Sequence, residues 1–235
     1  MLILPTSLDP PASRPWPGRT AVVTWSLCGA LVALHLLLRL AGGGRGLFGE
    51  EALRVATYAS ASWSLYTDPE LFEPWQLVSY TLLHEGWLHL LVNVLLIAVL
   101  GRAVERWVGP LACAGAMLTL TCLAAVVILL AGVLAHGHGV VVGANGLVMG
   151  LIGMVATLFP GSRVRWGLAY YLVLVVGYLP LFRTSARTLA LGYALFEVAQ
   201  AWATHRPLTL GADLGALAAG MALGVAGRRR GLMAQ

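Results

Sequence analysis

Gly143-Ala144-Asn145-Gly146-Leu147-Val148-Met149-Gly150 opens an apolar run that continues to Phe159. Its three glycines decide how the chain is read. They let the backbone turn tightly into a helix and let a second helix come close against its face. The partner is legible far downstream. Ala212-Asp213-Leu214-Gly215-Ala216, with Gly220 and Gly224 following at four-residue spacing, forms a small-xxx-small ladder that suits close packing against the helix opened by Gly146.

The composition says where such packing occurs. Of 235 residues, 59% are hydrophobic and 11% charged, against about 25% charged in an ordinary soluble domain. A body of this size cannot hide that much apolar surface from water, so lipid is the solvent for much of it. Apolar runs at 21–38, 88–100, 111–135, 147–159, 166–182, 188–196 and 214–227 are membrane segments or large parts of them. The chain reads as an all-α polytopic membrane protein.

The net charge of +5 rests on fifteen basic residues, all arginine. They are scattered among loops rather than gathered on one face, which argues against nucleic acid and for orientation in a bilayer. Cys28, Cys113 and Cys122 lie inside apolar runs without metal-ligand spacing and read as small buried hydrophobes.

Residues 1–20, with five prolines, read as a disordered cytoplasmic tail, and 21–230 as the membrane domain. Helices are expected at about 21–40, 88–104, 111–134 and 145–159, with the last at 212–227. The connector 41–87 carries Trp63, Leu65, Tyr66, Leu71, Phe72 and Trp75, too apolar for a floating linker, and reads as a structured interfacial loop. Between Pro160 and Asp213 the count is open. Residues 187–203 suit a span, whereas 164–182 has Arg163 and Arg165 on one side and Arg183 and Arg187 on the other. If that segment dips into the membrane and returns, six spans result and Arg228-Arg229-Arg230 is cytoplasmic. A seven-span chain would put that cluster outside, against the positive-inside rule. Six spans with both termini cytoplasmic is the preferred topology.

Three polar constellations stand out. His89 and Asn93, four apart, share a helix face about 6 Å apart, and must point into the bundle because lipid offers no partners. By themselves they could be two interhelical hydrogen bonds. Asn145 occupies the mouth of the fourth helix. Asp213 begins the last, where an ionised carboxylate at membrane depth costs about 2.5–3.5 kcal/mol and wants a partner.

Together, His84-Glu85-Gly86-Trp87-Leu88-His89-Leu90-Leu91-Val92-Asn93, the glycines at 143, 146 and 150, Gly101 to Gly109, and Gly211-Ala212-Asp213-Leu214 resemble the rhomboid family of intramembrane serine proteases (peptidase S54-like) over roughly residues 70–227. The resemblance implies a six-helix bundle with a water-filled cavity opening outward, cavity and packing roles for His84, Gly143, Gly146, Gly150 and Gly220, and an oxyanion-stabilising pair at His89 and Asn93. It also implies a serine at 145 and a histidine at 213. This chain has Asn145 and Asp213 instead, and Trp75-Gln76 where the family usually has Trp-Arg.

A carboxamide has no hydroxyl for a base to deprotonate, so no acyl-enzyme can form at 145. A hydrogen-bonded Asn145–Asp213 pair is expected in place of the dyad, with Asp213 bonding water at a wet helix end as the plainer alternative. The leading expectation is a non-proteolytic rhomboid relative of the bacterial inner membrane that binds transmembrane segments of client proteins. The rival is an active endopeptidase, serine-type or of another mechanism. Zinc at His84, His89, His136, His138 and Asp213 has no His-Glu-x-x-His signature behind it, and Ser79 or Thr209 as substitute hydroxyls less still. A channel or transporter has only Asp213 and Glu197 as intramembrane acids and no repeat of broken helices. No metal, cofactor or nucleic acid is expected, and the sequence assigns no oligomeric state.

Overall fold

The computed structural model describes residues 2–9, 20–41, 61–134, 139–172, 175–204 and 207–233. Six helices of ten residues or more stand among them: α1 (Val22–Ala41), α2 (Trp87–Val108), α3 (Pro110–Leu134), α4 (Asn145–Leu158), α5 (Ala186–Thr204) and α6 (Pro207–Met233). α1, α2, α3 and residues 210–229 of α6 are long and apolar enough to cross a membrane. The all-α polytopic membrane fold therefore stands, with four candidate spans among the described residues. α2 contains a π-helical turn at Ile97–Gly101 and ends at Gly109, whose φ of 91° turns the chain into α3. Pro110 follows as the first residue of α3, where its missing N–H would have had no helical partner.

α4 is the centre of the bundle. Every residue from Gly146 to Ala156 is buried. Fourteen residues rise only ~21 Å, short of a bilayer's hydrocarbon core of about 30 Å, so at least one end of α4 stops within the bundle. The glycine ladder does what its spacing implies: a Cβ on Gly220 would run into the Gly150 carbonyl, so α4 and α6 touch backbone to backbone.

The Gly101 to Gly109 stretch supplies a tie between elements. Glu105 of α2, 1% exposed, accepts from the amides of Val23 (2.8 Å) and Thr24 (2.8 Å) and from the Thr24 hydroxyl (2.7 Å). These amides belong to the first turn of α1, whose N–H groups have no partner within the helix. The carboxylate also sits at the positive end of the helix dipole.

The connector between α1 and α2 is folded where it is described. Strands β2 (Leu65–Tyr66) and β3 (Val140–Val141) pair antiparallel and tie it to the α3–α4 connection. Gln76 is 1% exposed; it donates to the Ser62 and Leu71 carbonyls and accepts from the Tyr66 amide. The neutral residue at the family's usual arginine thus anchors the loop through its carboxamide. Residues 42–60, including Glu50 and Glu51, lie outside the described part.

Two expectations need correction. The opening residues, read as a disordered tail, form strand β1 (Leu2–Leu8), although 10–19 lie outside the described residues. The segment expected to dip into the membrane at 164–182 is an antiparallel hairpin, β4 (Arg163–Leu172) and β5 (Val175–Ser185), with β1 completing a sheet of order β1-β4-β5. The chain does go out and return, with Arg165 opposite Arg183, so the arginines flanking it share one end as the six-span topology requires. Open strand edges have no water to pair with in hydrocarbon, which places this sheet outside the apolar slab. Asp9, just after β1, bonds Arg165 (2.7 Å) and approaches Arg183 (3.8 Å).

Candidate functional site

The mouth of α4 is assembled around Gly143. Its φ of 113° is a backbone state that favours glycine, and a Cβ there would sit 2.6 Å from the His89 ring. The bare backbone lets His89 lie across the chain and reach the next helix. His89 Nε2–H donates to Asn145 Oδ1 at 2.9 Å, and Asn93 Nδ2 donates to the same oxygen at 3.1 Å and to the His89 carbonyl at 3.1 Å. The two polar residues of α2, which share a helix face, therefore converge on position 145. Asn93 is buried and Asn145 is exposed. Gly146 lies next to Ala124 and the Tyr80 ring oxygen, which itself donates to the Thr121 carbonyl at 3.2 Å.

His84 packs edge-on to His89, ring centroids 5.1 Å apart. Burial, with His89 and His35 nearby, pushes the His84 imidazole down to about 3, so it is neutral at physiological pH. His35 of α1 is buried and lies edge-on to Trp87 at 4.7 Å. No motif singles out His35; its available signal is a histidine four residues before Arg39 on an apolar helix.

Asn145 and Asp213 both line a cavity of about 720 Å³, with His89, Asn93, Tyr193, Glu197 and Gln200. They are not joined as a pair. Asn145 Oδ1 is taken by His89 and Asn93, while the Asp213 carboxyl hydrogen-bonds that of Glu197. The physical reason is the placement of α5, which brings an acid from another segment beside Asp213, the seventh residue of α6. Contact between the two side chains gives the buried Asp213 a polar partner without a cation. Asp213 is 4% exposed, one of the buried polar residues of the site. Of the candidate zinc ligands, His136 and His138 lie outside the described residues, and no group of three ligating side chains gathers among the described ones.

The close glycine contacts of α4 with α6, the His-x-x-x-Asn face aimed at the mouth of α4, and the cavity above them share one frame. Residues 71–230 match the Rhomboid domain. The chain belongs to the rhomboid family. No curated protein matches it. In this rhomboid the positions that the resemblance assigns to nucleophile and base carry Asn145 and Asp213, and Glu197 is the cavity acid whose partnership no spacing in the sequence announces.

Proposed function

We propose that this rhomboid is a non-proteolytic binder of transmembrane segments, resident in a bacterial inner membrane with both termini cytoplasmic. The carrying observation is at position 145. Its side chain has no hydroxyl, its oxygen already accepts two hydrogen bonds, and the acid at 213 is engaged with Glu197 rather than poised as a base toward it. A cavity with apolar walls and a polar floor suits a client helix carrying a hydrogen-bonding side chain. The test is labelling by a fluorophosphonate probe together with cleavage of a panel of rhomboid substrates. No labelling and no product are expected, with client helices still recovered by crosslinking from Leu88 or Phe196 at the cavity rim; probe labelling that vanishes on Asn145→Ala would overturn the reading.

One observation favours a second reading, an endopeptidase of another mechanism. Two carboxyls sharing a proton are the arrangement that activates water in acid-pair hydrolysis. That reading requires cleavage lost in both Glu197→Gln and Asp213→Asn and indifferent to fluorophosphonate.

A further inference from the structure

A second cavity, of about 780 Å³, lies toward the opposite end of α4, between α4, α5 and α6. Its walls include Ala190, Leu191 and Ala194 of α5 and Leu217, Met221 and Val225 of α6, and its rim carries Arg187, Arg228 and Arg229. All three arginines are exposed, and none has an ion-pair partner among the described residues.

Helix electrostatics explain only part of this. Arg228 and Arg229 lie near the C-terminal end of α6, where the dipole favours cations. Arg187 is the second residue of α5, at the positive end of that helix, where a cation is disfavoured. The first turn of α5 is already capped, since Ser185 Oγ accepts from the Thr188 amide at 3.0 Å. No anion among the described residues offsets the three gathered positive charges, which leaves them to one from outside.

The shape of the groove says what carries that anion. Leu191 (62%), Met221 (42%) and Val225 (42%) are open to the surroundings, which for a membrane helix means acyl chains. From Leu217 to Arg228 the wall rises ~16 Å along α6, close to the depth of one leaflet, about half of the 30 Å core. An apolar trough of leaflet depth with cations at its headgroup end fits an amphiphile of net negative charge.

We propose that this groove is a binding site for an anionic phospholipid, its phosphate held by Arg187, Arg228 and Arg229 and one acyl chain lying along α5 and α6. The site is separate from the Asn145 cavity and does not depend on client binding.

The test is native mass spectrometry of the full chain in detergent, titrated with dioleoylphosphatidylglycerol or dioleoylphosphatidylcholine. Retention of the anionic lipid is expected at least about tenfold above the zwitterionic one. Removing the three charges together as R187Q/R228Q/R229Q should weaken it on the order of a hundredfold, roughly fivefold per arginine. Ala194→Trp fills the trough, keeps every charge and should also weaken retention, while Arg102→Gln, a charge outside the groove, should not. If the triple variant fails to fold, Arg187→Gln alone should still show its fivefold loss. Equal retention of the two lipids, an unchanged triple variant, or displacement by millimolar inorganic phosphate as efficient as by lipid would each overturn the proposal, the last by making the site one for a free anion.

Discussion

Glu105 offers the sharpest energetic test of how this bundle is held together. Its carboxylate receives three hydrogen bonds from the start of α1, two from amides at 2.8 Å and one from a hydroxyl at 2.7 Å, at 1% exposure. Hydrogen bonds to a charged group contribute about 1.5–3 kcal/mol each, and a buried donor left bare costs about 1–3 kcal/mol. Simple addition would give about 5–9 kcal/mol, but removal of the acid also removes its desolvation cost, and the Thr24 hydroxyl can rotate to a carbonyl. Glu105→Ala is therefore expected to destabilise by about 4 kcal/mol. Glu105→Gln keeps one acceptor oxygen but turns an amide N–H toward donors that need an acceptor, and about 2 kcal/mol is expected. For a chain of this size about 2–4 °C accompanies each kcal/mol, so Glu105→Ala should lower the unfolding midpoint in detergent by about 8–16 °C and Glu105→Gln by about half of that. Thr24→Val, losing one bond of the three, should fall below both. A Glu105→Ala shift under about 2 °C would refute the claim that the buried carboxylate fastens α1 to α2.

His84 has a folded pKa below its unfolded one, so it contributes stability above pH 6.5 that is lost as pH falls toward 3; between pH 8 and pH 5 about 2 kcal/mol should disappear, and His84→Gln should flatten that slope in thermal melts. Asn145→Ser with Asp213→His should create fluorophosphonate labelling absent from the parent; no labelling in a folded double variant would mean that Glu197, still beside position 213, keeps the new histidine from serving as base. Gly220→Leu forces a side chain into the Gly150 carbonyl and should cost more than about 3 kcal/mol or abolish folding. Gly29→Leu should be tolerated in the same thermal melts, because a Cβ at that position would meet nothing within 4 Å.

The membrane class, the helix positions and the α4–α6 contact were legible because each depends on local properties. Apolar length marks a span, and glycine spacing marks a close approach. The face shared by His89 and Asn93 follows from helical period alone, but their meeting with Asn145 does not, since the sequence pointed Asn145 toward Asp213 instead. The segment 163–185 was harder. Its apolar run is too short to separate a helix from a strand by periodicity; its Val, Tyr and Phe content leans toward strand, Gly177 and Pro180 disfavour helix, and pairing with β5 and with β1, over 150 residues away, completes the sheet.

What the chain alone determines is its solvent, its helices and the absence of an alcohol at position 145, since these are properties of single residues and short periods. Tertiary structure decides which polar groups meet: Asn145 with His89 and Asn93, Asp213 with Glu197, Glu105 with the start of α1, and three arginines around one groove. Hydrogen bonds and charges act over a few ångströms in space, and separation along the sequence carries almost no information about that distance.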